Sequence, residues 1–290
     1  MRSSRAKALI IGLLVCALSA CTAVRLSYAN GPTLATFWLD NWLDLDAAQT
    51  VELKPELQRW FDWHRANELP RYATPLAQWR ARAAGEVSAA EVCDWSATTR
   101  GWMRRAFDQA APAAARLLPT VSAAQWEHLV ARQQQRTAKL RRELPATEDE
   151  RRRAMLDRWV QRAEDYYGNL APAQRAQLAA DVAASPRGPQ AWIDQREARQ
   201  REIVAGLRAA QQVSDPAQRA QALRTLVAQE LEPSTADASG QREARWREHL
   251  CATAARLHNS MNTAQRARLQ KRLEGWQGDL VALTEGAGGG

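Results

Sequence analysis

Six times along this chain a small polar residue stands three positions before a glutamine or glutamate, at the head of a segment whose apolar residues recur every three to four positions. The copies are Asp46-Ala47-Ala48-Gln49, Ser88-Ala89-Ala90-Glu91, Ser122-Ala123-Ala124-Gln125, Thr147-Glu148-Asp149-Glu150, Asp215-Pro216-Ala217-Gln218 and Asn262-Thr263-Ala264-Gln265. Leu170-Ala171-Pro172-Ala173-Gln174 is a degenerate one. Such a spacing is a capping box: the small side chain accepts a free backbone N–H of the first turn, and the longer one reaches back to satisfy another. Leu53, Leu57, Trp60 and Phe61 then fall on one helical face, as do Met155, Leu156, Trp159, Val160, Tyr166 and Tyr167. A third stripe, Leu257, Met261, Leu269, Leu273, Trp276 and Leu280, is interrupted by a turn near Asn262. Ala, Gln, Glu, Arg and Leu, which lose least on entering a helix, dominate, and strand-like alternation of Val, Ile and Thr with polar residues is absent. The expectation is an all-α protein, a multi-helix bundle or helical array of about ten to twelve helices of three to four turns. Breaks are expected near Gly85, Pro112, Pro145, Gly168, Pro186 to Pro189, Pro216 and the stretch Glu232 to Gly240.

The N-terminus sets the compartment. Arg2, Arg5 and Lys7 precede the apolar run Ala8 to Leu18, which reads as an export signal and is too short to cross a bilayer permanently. Leu18-Ser19-Ala20-Cys21 resembles the lipobox of bacterial lipoproteins. The resemblance implies that the Cys21 thiol is alkylated with diacylglycerol, that the signal is cut before it, and that the new amine is acylated. An ordinary secretory signal cleaved after Ala20 is the alternative. Thr22 follows in place of Asp, which in the lipoprotein family implies passage to the outer membrane. Residues 1–20 are thus expected to be a signal, 21–30 an anchor and tether, 31–283 the helical body, and 284–290 a disordered Gly-rich tail. Length would permit a subdivision near 144–147.

Charge argues against nucleic acid as a partner. Three of the 40 basic residues and none of the 32 acids lie in the removed segment and anchor, so the formal charge falls from +8 to +5. The arginines are interleaved with acids, as where Arg151 to Arg153 follow Glu148 to Glu150, a pattern of solvated helices with i,i+4 ion pairs. The expected partners are membrane lipid, through acylated Cys21, and an envelope protein or peptide.

Cys93 and Cys251 remain in the mature chain, and in an oxidising compartment a disulfide is the expectation; two unpaired buried thiols is the alternative. Twelve tryptophans crowd toward the N-terminal part, with Trp38, Trp42, Trp60, Trp63, Trp79, Trp95 and Trp102 among them. Interhelical packing accounts for them by default, and an exposed aromatic groove for peptide or lipid is the functional alternative. The chain carries no Gly-rich phosphate loop, nucleophile elbow, His-Glu-x-x-His or Cys-x-x-Cys, and no cofactor is expected. His64 and Glu68, one helical turn apart and near Asp40, Asp44 and Tyr72 in sequence, are the best remaining pair for binding a metal or moving a proton. Two ligands fall short of the three or four that a metal site needs.

Arg25-Leu26 with Tyr28 and Asn30, then Trp38-Leu39-Asp40 with Leu43-Asp44-Leu45-Asp46 and Gln49, then Trp63-His64-Arg65 with Glu68-Leu69-Pro70 and Tyr72, resemble an uncharacterised family of proteobacterial lipoproteins, a domain of unknown function. The resemblance implies an anchored helical protein and brings no established activity. The glutamine repeats are more weakly similar to the Leu-Thr-x-x-Gln motif of Spy-type periplasmic chaperones. The expected role is non-catalytic binding or scaffolding at the envelope; the alternative is an envelope enzyme or metal-binding protein using His64 and Glu68.

Overall fold

The structure is a computed structural model that describes residues 27–236 and 238–285. Cys21, the expected export signal and residues 286–290 lie outside the described residues. The described residues form eleven α-helices and no strand, an all-α array. In chain order these are α1 (Gly31–Leu43), α2 (Ala47–Trp63), α3 (Leu69–Arg82), α4 (Ala89–Leu117), α5 (Ala123–Arg142), α6 (Glu148–Tyr167), α7 (Pro172–Ala183), α8 (Pro189–Gln211), α9 (Pro216–Leu231), α10 (Ala238–Asn259) and α11 (Thr263–Glu285). A π-helical turn, His64–Glu68, joins α2 to α3, and a 3-10 turn, Leu118–Thr120, follows α4.

Helix starts lie where the repeat puts them. Asp46, Ser88, Ser122 and Thr147 each accept the N–H of the residue three positions on, and that residue's side chain returns to the cap backbone. One expected break is absent: α4 runs unbroken through Pro112 for 29 residues. Packing overrides the missing hydrogen bond there, because Ala111 and Ala115, on either side of the proline, are buried in the largest core cluster. Two boundaries also shift. Thr284 and Glu285, assigned to the tail by sequence, complete α11. Tyr28, assigned to the tether, is fixed against α2 through its hydroxyl.

Four of the glutamines do more than cap. Gln49 and Gln125, at the starts of α2 and α5, exchange amide hydrogen bonds: Gln49 Nε2 donates to Gln125 Oε1 at 3.1 Å, and Gln125 Nε2 to Gln49 Oε1 at 2.6 Å. Each also donates to the carbonyl two residues before the partner's cap, Gln49 to Thr120 and Gln125 to Asp44. Gln174 and Gln265, at the starts of α7 and α11, repeat the arrangement, with Gln174 donating to Ser260 and Gln265 to Asn169. All four side chains are buried. An uncharged amide can satisfy donor and acceptor at once, so a mutual pair of caps is stable away from water where two carboxylates would repel. The molecule therefore contains the same two-helix junction twice. Gln218, whose backbone N–H bonds to Asp215, lies exposed at the start of α9.

The long α4 organises the rest, with α2, α9 and α10 laid along it, while α3 pairs with α11. Ala111, Ala115, Trp126, Leu129, Val204 and Leu223 form a core between α4, α5, α8 and α9. A second core, including Val160, Leu178, Leu257 and Met261, joins α6, α7 and α10, and a third, around Leu76, Ala83 and Leu273, joins α3 to α11. Elements beyond 147 thus close back onto α3 and α4. Sulfur atoms of Cys93 on α4 and Cys251 on α10 are 2.11 Å apart with Cα atoms at 5.4 Å, a disulfide spanning 158 residues of chain. Charge also enters the interior: the buried Glu243 of α10 is surrounded by Arg187, Arg199 and Arg247, and the Arg187 guanidinium lies 3.9 Å over the Trp246 ring. Removing those arginines would strand a buried carboxylate.

Candidate functional site

The π turn is where the sequence-selected pair sits, and Pro70 is the reason for it. A proline has no N–H for the carbonyl four residues back, and its ring crowds that carbonyl. The backbone responds by widening: the Leu69 N–H bonds to the His64 carbonyl, five residues back, and α3 begins with Pro70 in its first turn. Such single wide turns recur at functional sites, and this one re-aims the two side chains that an ordinary helix would stack on one face.

Glu68 turns inward and is 2% exposed. Its carboxylate receives the Arg105 guanidinium from α4, with Nε at 3.2 Å from Oε1 and 3.1 Å from Oε2, and Nη2 at 3.0 Å from Oε2. His64 instead stacks on Trp60, with ring centroids 4.9 Å apart. Its Nδ1 lies 2.8 Å from the Tyr28 hydroxyl, and its Nε2 3.2 Å from the Tyr72 hydroxyl. A neutral imidazole donates on one side and accepts on the other, so one phenol gives a proton to the ring and the other receives one. Burial holds His64 below the ordinary histidine range, with the Glu68 charge acting in the opposite sense. Burial likewise pushes the Tyr28 hydroxyl up to about 12, Arg65 drawing it down and Asp62 pushing it further up. Tyr72 is raised by burial and then by the adjacent Glu68 carboxylate. At neutral pH the triad is therefore two neutral phenols about a neutral ring, beside one ion pair.

Aromatic contacts continue from this node as a ladder. Tyr72 stacks on Trp102 of α4 at 4.3 Å, Trp102 on Trp79 at 5.4 Å, and Trp79 meets Trp95 at 5.9 Å. The early tryptophans thus mostly pack α2 and α3 against α4, with Trp60 Nε1 donating to the Ala106 carbonyl at 2.8 Å. Trp38 and Trp42 lie instead on α1, Trp42 packed against the largest core cluster and Trp38 57% exposed.

The node brings together His64 and Tyr72, with the Glu68 carboxylate beside Tyr72; it does not gather Asp40 and Asp44. Asp40 accepts the Leu45 N–H and Asp44 takes the left-handed conformation that ends α1, with φ 52°. Both His64 nitrogens and both Glu68 oxygens are engaged by protein groups, and among the described residues no cluster of three or more His, Cys, Asp or Glu is placed to hold a metal. Sequence reasoning missed Arg105 and Tyr28 as the partners, because a pairing across 37 residues leaves no local pattern; Pro70 was the available signal that the turn would not be regular. His258 is built alike: its Nε2 donates to the Gly85 carbonyl at 2.9 Å and its Nδ1 accepts from Tyr167 at 3.0 Å. His249 reaches the Asp181 carbonyl and His128 the Asn41 carbonyl.

A cavity of about 460 Å³ lies elsewhere, between α5 and α8. Val130, Gln134 and Thr137 line one wall, and Gln200, Val204 and Arg208 the other. Its size suits a small molecule or a short stretch of peptide, and the amides of Gln134 and Gln200 and the Thr137 hydroxyl in its walls offer hydrogen bonds.

No curated protein and no solved structure matches the chain. A family model does match, over residues 41–232, which is more than half of the sequence and takes in the π turn, Arg105 and the first glutamine pair. The chain belongs to that family, DUF6279, a family of unknown function.

Proposed function

We propose that this protein is a membrane-anchored periplasmic lipoprotein, acylated at Cys21 and held at the outer membrane, whose helical body is a non-catalytic binding or scaffolding element of the envelope. The observation that carries the reading is Leu18-Ser19-Ala20-Cys21 behind a basic, then apolar, N-terminus. Among the described residues no helix is long and apolar enough to cross a membrane. The Cys93–Cys251 disulfide fits an oxidising compartment. The His64 node supports a structural role, since its hydrogen-bonding groups face one another. The α5–α8 cavity offers a surface to an envelope protein or peptide. The chaperone likeness of the glutamine repeats has less support, because four of the five glutamines hold buried helix junctions that no client could reach.

Fractionation tests the reading. Wild-type protein should sediment with membranes, and Cys21→Ser should be lost from them. Crosslinking of the anchored protein in intact envelopes should then retrieve a cell-wall or envelope-assembly partner. Stoichiometric metal that is lost on His64→Ala would instead favour the metal-binding alternative.

A further inference from the structure

We propose that the exposed apolar face of α1 rests on the lipid bilayer, seating the body against the membrane that holds Cys21. This inference rests on the anchored reading above and adds an orientation to it. Leu34, Phe37 and Trp38 stand at i, i+3 and i+4, on one face of the helix, and are 52%, 71% and 57% exposed. Large apolar side chains gathered on a surface mark a contact. The opposite side of α1 is occupied: Gly31 and Thr36 are buried, and α1 packs on α2 and α5. At Gly31 any Cβ would meet the Phe61 ring at 2.3 Å, so the helix is seated there by backbone contact. The free face is thus left over after folding is complete.

The geometry of the chain selects lipid as its occupant. Six residues lie between Cys21 and Tyr28, so the seven steps from one to the other span at most about 25 Å when fully extended. Tyr28 is fixed to the body through the His64 ring and the Phe61 carbonyl. Within α1, Leu34 and Phe37 lie about 5 and 9 Å beyond Gly31 at the helical rise. An acylated Cys21 therefore keeps this face within a few tens of ångströms of the bilayer in any conformation of the tether. The charges are ordered the same way. Arg25 precedes Tyr28 in the sequence, and the Arg65 guanidinium lies 5.4 Å over the Tyr28 ring, so two cations against one anion, Asp62, stand at the anchor end, where anionic headgroups attract the excess positive charge. Asp40 and Asp44 end the helix on the far side, and Asp40 is exposed to water. A tryptophan beside phenylalanine and leucine is the composition of an interfacial helix face.

The test uses full-length acylated protein in phosphatidylethanolamine vesicles containing phosphatidylglycerol. An environment-sensitive fluorophore is placed at Phe37→Cys and, separately, at Trp192→Cys on α8, a residue 42% exposed and remote in sequence from the anchor. Nitroxide lipids labelled near the headgroup should quench the Phe37 probe several-fold more strongly than the Trp192 probe and leave its emission blue-shifted. Adding Leu34→Asp, also at an exposed position, should abolish the difference while far-UV circular dichroism stays unchanged. Equal access of an aqueous quencher to both probes, with no quenching from lipid, would overturn the proposal. Protection that grows with protein density and is insensitive to nitroxide lipid would assign the face to a second copy of the chain, and would overturn it too. The mass of the Cys21 peptide from the same vesicles separates the two levels: acylated Cys21 with an unprotected Phe37 probe rejects only the docking, whereas unmodified Cys21 on protein that does not sediment with vesicles rejects docking and anchoring together.

Discussion

Truncating Gln125 to alanine should cost far more than the loss of a helix cap. The side chain's Oε1 accepts the Ser122 N–H at 2.9 Å, and its Nε2 donates to the Asp44 carbonyl at 2.8 Å and to Gln49 Oε1 at 2.6 Å. Removing it deletes these three hydrogen bonds and the one its Oε1 accepts from Gln49 Nε2 at 3.1 Å, four in all at about 1 kcal/mol each, and leaves the Asp44 carbonyl and Ser122 N–H short of partners, so about 4 kcal/mol is expected. Gln218→Ala provides the comparison. Gln218 heads the same motif but lies exposed, and its truncation should cost under about 0.5 kcal/mol, as surface substitutions usually do. Urea unfolding of the oxidised protein measures both, as a fall in midpoint at constant slope. Combining Gln49→Ala with Gln125→Ala should give less than the sum of the single effects, with a coupling of about 1 to 2 kcal/mol. Gln174 and Gln265 should behave as an equivalent pair. If Gln125→Ala and Gln218→Ala are equally mild, the reciprocal junction has no energetic role and the reasoning fails.

Other expectations follow from the buried groups. Arg105→Ala strands the carboxylate of Glu68, 2% exposed, and should destabilise by about 2 to 3 kcal/mol, with Glu68→Gln milder because Arg105 can turn to water; denaturant melts that rank the two in reverse would contradict the geometry. His64 and His258 are both held below the ordinary histidine range by burial. The unfolded chain therefore takes up protons first as pH falls, so stability is full above about pH 6.5 and declines below it toward the folded-state values. Glu243 is pushed up by burial but held lower overall by Arg187, Arg247 and Arg199, which adds a further loss as the medium passes below the ordinary carboxylate range. Melting temperatures that rise on acidification from neutrality would refute both assignments. Reducing Cys93–Cys251 frees a loop of 158 residues, which the chain-entropy model values at about 5 kcal/mol; a scan with and without reductant measures it, and an unchanged midpoint would be inconsistent with the bridge.

The helices were legible because their signals are local. Asp46, Ser88, Ser122 and Thr147 announce four starts by a spacing that works through a single turn of backbone, and the stripe containing Leu53 and Leu57 shows which face α2 buries. Pro112 misled for the converse reason: whether a proline ends a helix depends on what the helix packs against, and the burial of Ala111 and Ala115 is a tertiary fact. The glutamine repeat was legible as capping and illegible as pairing, since nothing near Gln49 names Gln125. At the π turn, His64 and Glu68 were found by type and spacing, but the engagement of Glu68 by Arg105 depends on how α4 lies against the turn, and that of His64 by Tyr28 on how the segment before α1 returns to it. The spacing also suggested a shared face, which the wider turn caused by Pro70 removes.

The proposed placement of the whole body rests on acylation of the Cys21 sulfur, and mass spectrometry of the N-terminal peptide from the membrane fraction reads it directly. The account predicts a chain beginning at Cys21 and carrying diacylglycerol and an amide-linked acyl group. An intact, unmodified Met1 on a species recovered from the cytosol would contradict it.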